Sequence, residues 1–226
     1  MTKLETIITG DGSTSFFHPE LDETYHSRHG AIQEAVHVFI KTGLETTISK
    51  NNLNTVSVFE MGLGTGLNCL LTALWSIENA VAIDYTGIEN TVLSEEQIES
   101  CNYVAAINVQ KAADLFKKIH TSKWNSASEL TPNFVLNKIE SNIEQFNSLK
   151  KFDVIYFDAF GPRVQPFLWE SPILYKMHEM LRTGGYFVTY CAKGSVRRSL
   201  IEIGFEVERL PGPPGKREML RARKMS

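Results

Sequence analysis

Phe59-Glu60-Met61-Gly62-Leu63-Gly64-Thr65-Gly66-Leu67-Asn68 sits between an apolar run, Val56-Ser57-Val58-Phe59, and a helical pattern over residues 67–77. A short strand therefore enters a glycine turn and a helix leaves it. Glycines at 62, 64 and 66 permit a sharp bend and let a ligand lie against bare backbone. The spacing is G-x-G-x-G, not the G-x-G-x-x-G of dinucleotide-binding folds. Glu60 stands just before the turn. A carboxylate there repels a pyrophosphate and suits a ligand with a cationic end.

The ammonium and sulfonium of S-adenosylmethionine carry that sign; a plain tight turn is the alternative reading. Asn68 opens the following helix beside the turn. Glu89 ends the next strand, 23 positions after Gly66. An acid at that tip can accept both hydroxyls of a ribose, with a nicotinamide cofactor as well as with S-adenosylmethionine. Ser141 and Asn142 follow a third strand and would lie beside the adenine, although both residue types also cap helices.

Strand patterns over 56–59, 80–88, 134–139, 153–157, 186–190, 205–210 and 218–222 alternate with helical ones over 30–40, 67–77, 95–103, 105–119, 143–149, 171–181 and 195–203. Residues 121–131 read as a polar loop. This alternation predicts an α/β fold, a mainly parallel sheet covered on both faces. The last two strands are joined only by Pro211-Gly212-Pro213-Pro214-Gly215, so they should pair antiparallel at an edge. We expect one domain over 1–226, with an N-terminal extension and helix over 1–45 and a Rossmann-like core over 55–226.

Composition narrows the class. With 42% hydrophobic and 22% charged residues in 226, the chain can bury a core without disulfides. Cys69, Cys101 and Cys191 are far apart and form no CxxC pair, which points away from a zinc site. His26, His29 and His37 are spaced too irregularly for a metal site, and none is expected. No apolar run is long enough to span a membrane and residues 1–12 lack a signal pattern, so a cytoplasmic protein is expected. The net charge of −3 gives no global pull toward nucleic acid, yet residues 193–226 hold nine Lys or Arg against four acids. That end reads either as a polyanion contact or as a solvated surface.

The second informative stretch is Asp153-Val154-Ile155-Tyr156-Phe157-Asp158-Ala159-Phe160-Gly161-Pro162. An apolar strand delivers Asp158 at its carboxyl end, where open α/β sheets carry their ligand crevice. Phe160 can line a pocket for a planar base, and Pro162, Pro166 and Trp169 stiffen the loop. Asp153 belongs to the strand's start, away from chemistry.

Glu60 to Asn68, Asp158-Ala159-Phe160-Gly161-Pro162 with Pro166 and Trp169, Val196-Arg197-Arg198, and Gly215-Lys216-Arg217-Glu218-Met219 together resemble one family. It is the methyltransferase domain of the enzyme that completes 5-methylaminomethyl-2-thiouridine at the tRNA wobble position. The resemblance runs from about Tyr25 to Arg221, with the motifs in the family's order. It implies a class I S-adenosylmethionine-dependent methyltransferase fold, Rossmann-like, with a seven-stranded mainly parallel sheet and an antiparallel last strand. S-adenosylmethionine is the implied methyl donor, and tRNA the partner. Many family members carry a following flavin-dependent oxidase domain that exposes the amine. This chain ends at Ser226 and so resembles the stand-alone form, which implies a separate oxidase or aminomethyl-forming enzyme upstream. It departs from the family at Ser141-Asn142, where an acid after a glycine is usual.

On this reading Asp158 is the catalytic residue, and Glu60, Gly62, Gly64, Gly66, Asn68, Glu89, Ser141, Asn142 and Asp158 hold the cofactor. With the ordinary low acidity of an aspartate, about 3.9, Asp158 would orient a neutral amine rather than deprotonate it. Phe160, Arg163, Lys193, Arg197, Arg198, Lys216 and Arg217 are the substrate-side candidates, and Phe16, Phe17 or Tyr25 could add a stacking ring. Three rivals fit the same pattern: an aminopropyltransferase resembling spermidine synthase, a methyltransferase on another amine substrate, and a binding-only protein.

Overall fold

A computed structural model of the chain describes residues 4–225. Three short strands come first, β1 (Glu5–Ile8), β2 (Thr14–His18) and β3 (Glu23–Thr24), paired antiparallel in a sheet of their own. A helical rod follows: α1 (Ala31–Ala35), a π-wound middle (Val36–Glu45) and α2 (Thr46–Asn51). The sequence pattern carries this helix only to residue 40. It continues to Asn51, and left-handed Asn52, at φ 51°, stops it.

The large sheet then builds from β4 (Thr55–Met61), β5 (Ala82–Glu89), β6 (Ser126–Thr131), β7 (Phe134–Glu140), β8 (Phe152–Phe157), β9 (Leu181–Thr189), β10 (Phe205–Pro211) and β11 (Glu218–Lys224). α3 (Leu67–Asn79) follows β4. α4 (Glu95–Glu99), α5 (Tyr103–Ile107) and α6 (Ala112–Thr121) lie between β5 and β6. α7 (Ser171–Met180) joins β8 to β9, and α8 (Gly194–Ile203) joins β9 to β10. The strand order is β10-β11-β9-β8-β4-β5-β7-β6. The centre, from β9 to β7, is parallel. β11 runs antiparallel between β9 and β10, as the Pro/Gly loop predicts.

The sheet has eight strands rather than seven. β6, expected to be loop, pairs antiparallel with β7 at the edge. Its side chains are mostly exposed and polar, so it lacks the apolar alternation that marks a strand in sequence. Residues 143–149, expected to be helical, form turns instead. The two helices expected over 95–119 are three, because Asn108 adopts a left-handed φ of 53° after α5.

Strand residues alternate between two helical layers. Val58, Tyr85, Tyr156 and Val188 face the rod, α3 and α6. Phe59, Ile155, Phe157 and Phe187 face α7 and α8. Both sets are fully buried, which explains why the central strands read as continuous apolar runs. Asp153 sits at the start of β8, bridged to Arg182 at 2.7 Å and accepting the Ser57 N–H at 2.7 Å, far from the carboxyl edge. Among the described residues no helix is long and apolar enough to cross a membrane.

Phe187 is 0% exposed, with ring centroids 5.1 Å from Phe157 and 5.9 Å from Phe205. Phe187→Ala should lower stability by about 3–5 kcal/mol. Urea unfolding followed by circular dichroism checks this; a loss below about 1 kcal/mol would mean that the second layer does not depend on this ring.

Candidate active site

The carboxyl ends of β4, β5 and β8 lie side by side, with Met61 opposite both Ile88 and Phe157. One residue further on, backbone bonds tie the three loops together. Gly62 and Leu63 N–H both donate to Ile88 O at 3.1 Å, and Asp158 N–H donates to Met61 O at 3.0 Å. Ser141 N–H donates to Glu89 O at 3.0 Å, which adds the loop after β7. Gly62 has φ 88°, and a Cβ there would lie 2.7 Å from Asp158 O. Glycine is required at this point by conformation and by space.

These loops wall a crevice at the reversal of strand order on either side of β4, the place where such sheets take ligands. It is lined by the glycine turn, Glu89, Asn142, Asp158, Phe160 and Tyr25. The Tyr25 ring is packed on Gly64 and stands edge-on to Phe160 at 5.1 Å. Phe16 is buried behind Tyr25, and Phe17 lies under Arg28, so Tyr25 is the one of the three that reaches the crevice.

Three carboxyl groups surround the turn in different ways. Glu89 Oε2 accepts the Gly64 N–H at 2.9 Å, and its Oε1 accepts the Asn90 and Thr91 N–H groups, each at 2.9 Å. Burial raises its pKa, and those three amides oppose the rise. Glu60 is 0% exposed and lies beneath the turn. It accepts the Tyr85 hydroxyl at 2.7 Å and Asn68 Nδ2 at 2.9 Å, and burial pushes it well above the usual carboxylate range. It thus meets the crevice through Asn68. That amide gives its other hydrogen to Asp158 Oδ2 at 2.8 Å, while its buried Oδ1 has no partner among the described residues.

Asp158 is half-buried at the crevice floor. Its pKa is pushed up to about 7, first by desolvation and then by the Glu34 carboxylate, against the pull of Asn68 and Lys216. The ordinary acidity expected from sequence is therefore corrected: a low reference value does not survive removal of water from around the carboxylate.

The substrate-side candidates divide. Arg163 is exposed and donates to Asp22 O at 2.6 Å and to Glu23 at 3.3 Å, so it fastens the N-terminal sheet to the Asp158 loop. Lys216 is ion-paired with Glu34 and lies over the Tyr190 ring. Lys193, Arg198 and Arg217 are exposed, and Arg197 is partly covered. The β9–β11 register, Thr189 opposite Leu220, places Lys193 and Arg217 beyond the same carboxyl edge as the crevice. Sequence patterns missed Tyr85, Tyr190, Glu34 and Lys176. Lys176, from α7, donates to the carbonyls of Ile143, Glu144 and Phe146 and thereby shapes the loop that carries Ser141 and Asn142. Asn142 Oδ1 accepts from Asn90 Nδ2 at 3.2 Å, which joins that loop to the one after Glu89.

Residues 96–225 match the model of a family described as S-adenosyl-L-methionine-dependent methyltransferase. The chain belongs to that family. Its methyl donor is S-adenosylmethionine, and the residues present fit that cofactor. Desolvated carboxyls suit a cationic ligand, bare glycine backbone admits close approach, and the buried Asn68 Oδ1 lacks a donor among the described residues.

The methyltransferase is 27% identical over 232 residues to the tRNA 5-methylaminomethyl-2-thiouridine biosynthesis bifunctional protein MnmC of Cupriavidus metallidurans, covering 97% of this chain and 34% of that protein. The protein of the same name from Leptospira borgpetersenii serovar Hardjo-bovis is 29% identical over 220 residues, covering 88% of this chain and 32% of the relative. The chain thus spans about a third of the length of these curated relatives. In fold it is similar to the crystal structure of MNMC2 from Aquifex aeolicus, with a TM-score of 0.80 and 23% identity over 100% of this chain and 72% of that one.

Gly62→Ala should weaken S-adenosylmethionine binding at least tenfold, because both φ and the Asp158 carbonyl oppose a Cβ. Lys176→Met, remote from the glycine turn, should weaken it by a smaller factor through the adenine-side loop. Titration calorimetry measures both; unchanged affinity in Gly62→Ala would dissociate the turn from the cofactor.

Proposed function

We propose that the methyltransferase N-methylates the 5-aminomethyl group of (2-thio)uridine at the tRNA wobble position, giving 5-methylaminomethyl-2-thiouridine. The observation that carries this reading is Asp158: a half-buried carboxylate at the mouth of β8, bonded to Asn68 and with its pKa pushed up to about 7. A base with that acidity suits an amine substrate at neutral pH. The printed names of the relatives supply the class of amine.

When bound, S-adenosylmethionine supplies a methyl group on a sulfonium. The chain's residues do the rest. The glycine turn would take the cofactor against the backbone of Gly62 and Gly64, with Gly66 turned instead toward His120 and Ile119 of α6, and Glu89 would accept its ribose hydroxyls. Ser141 and Asn142 border the adenine. Asn68 Oδ1 accepts an N–H of the ammonium end, while Glu60 acts from below by fixing the Asn68 amide. Asp158 would orient the substrate nitrogen and take up the proton that the nitrogen sheds when it is methylated.

Phe160 and Tyr25 border the entering base. Lys193, Arg197, Arg198 and Arg217 meet phosphates, which position the RNA while the base is read in the crevice. Lys216 and Arg163 hold the walls of the site rather than the RNA. An enzyme that exposes the amine, a flavin-dependent oxidase or another aminomethyl-forming activity, acts upstream. The aminopropyltransferase reading is not carried forward, since the matched family transfers methyl groups.

Asp158→Asn should lower turnover by about 10²–10⁴-fold, far more than it weakens cofactor affinity. Nucleoside mass spectrometry of undermodified tRNA, before and after incubation with the enzyme and methyl donor, reads the product; wild-type turnover in the variant would remove Asp158 from the chemistry. Binding of tRNA should also weaken steeply with salt, and Lys193→Ala with Arg217→Ala should flatten that slope by about two. A slope unchanged in the double variant would place the RNA elsewhere.

A further inference from the structure

Two remote parts of the chain meet at Tyr190, whose hydroxyl bonds the residue after Asp158. α1 brings Glu34, and the loop between β10 and β11 brings Lys216. They form an ion pair in which the Glu34 side chain is only 7% exposed. Lys216 Nζ also lies 3.8 Å from the centroid of the Tyr190 ring. The Tyr190 hydroxyl donates at 2.9 Å to the carbonyl of Ala159, the residue after Asp158. The other Glu34 oxygen accepts the Ser27 N–H at 2.7 Å. Around this contact the loop is packed on the N-terminal segment. The His29 ring leaves no room for a side chain at Gly215, and His37 Nε2 is 2.8 Å from Pro211 O.

We infer that the Glu34–Lys216 ion pair is a positioning device for methyl transfer, holding the Asp158 loop through Tyr190 and placing one charge of each sign on the Asp158 side of the fold. This rests on the reading of Asp158 given under the proposed function. The groups facing Asp158 are Asn68, with Glu60 behind it, from the β4–α3 side, Tyr190 after β9, Glu34 of α1 and Lys216. His26, just before α1, faces the same pair and is held neutral by burial, with its pKa lowered to about 4. Of the charged groups, the Glu34 carboxylate opposes ionisation of Asp158, whereas the Lys216 ammonium favours it. The pair is therefore a balance: removing either member should move Asp158 in a direction fixed by the charge that remains. Removing both should restore it.

The test is an NMR titration of the full chain labelled with carboxyl-¹³C aspartate, the Asp158 signal being the one that disappears in Asp158→Asn. In Lys216→Met the midpoint should rise by roughly one pH unit, and in Glu34→Gln it should fall by a similar amount. Glu34→Gln combined with Lys216→Met should return close to the wild-type midpoint, as should Lys216→Arg alone. Singles that move the same way, or do not move, overturn the inference, and so does a Lys216→Arg midpoint displaced as far as that of Lys216→Met. If Lys216→Met does not fold, the sign in Glu34→Gln and the Lys216→Arg rescue decide the matter. The titration needs no turnover. Wild-type turnover on tRNA in Asp158→Asn would defeat the proposed chemistry alone and leave the titration result standing.

Discussion

The site depends on backbone hydrogen bonds made one residue beyond the sheet. Gly62 and Leu63 N–H reach Ile88 O, and Asp158 N–H reaches Met61 O, so three loops that could diverge are held in register. That closeness demands a glycine at 62, because any Cβ would press on the Asp158 carbonyl. It also fixes where Asp158 points, since its own backbone is anchored on the strand that carries the glycine turn. The ligand crevice and the position of the Asp158 carboxyl group are therefore not separate inventions: one set of amides builds both.

Clustering carboxyls around a desolvated bend costs free energy in the cofactor-free protein. Asp158 shows the sign. Its folded pKa, about 7, is raised above its ordinary value. Its contribution to stability is therefore present below the unfolded pKa near 4 and is lost as pH rises through about 7. A cation in the crevice reverses that loss, because it offers the ionised carboxylate the partner that water no longer provides. Asn68 couples the two buried acids by giving one hydrogen to each, which leaves its oxygen free to receive a donor. A cationic, N–H-bearing ligand satisfies both demands at once, which makes the acid of the E-x-G-x-G-x-G run intelligible although Glu60 never touches the crevice.

The periodicity of the sequence carries the parallel core, because β4, β5, β8 and β9 are buried on both faces and read as apolar runs bounded by glycine. It carries the antiparallel end too, since a five-residue Pro/Gly link permits little else. β6 was illegible: an edge strand with exposed polar side chains looks like loop until its partner β7 is in place. The segment over 143–149 carries a helical pattern in sequence, yet its turns take their order from a distant amine, Lys176, that caps three carbonyls. Within the site, Gly62, Glu89 and Asp158 were readable because each ends a strand. Tyr85, Tyr190 and Glu34 were not, since their meaning lies in what they face across the fold. The acidity of Asp158 was misjudged for the same reason.

Asp158 also lies where both ends of the chain converge. The segment before α1 covers the crevice with Tyr25, and Arg163 ties the sheet that carries it to the loop after β8. The β10–β11 loop packs on the same segment from the other side, through His29 on Gly215 and Lys216 on Glu34. β11 can deliver that loop to the carboxyl edge only because it runs antiparallel beside β9; a parallel last strand would place its preceding loop at the opposite edge. The reversal that the Pro/Gly link imposes is thus what brings a cation to bear on a carboxylate some sixty positions earlier in the chain. The same reversal sets Arg217 at the rim, next to the lysine that faces inward. Neighbouring basic residues in one short motif consequently differ: Lys216 is paired with the buried Glu34, and Arg217 is exposed.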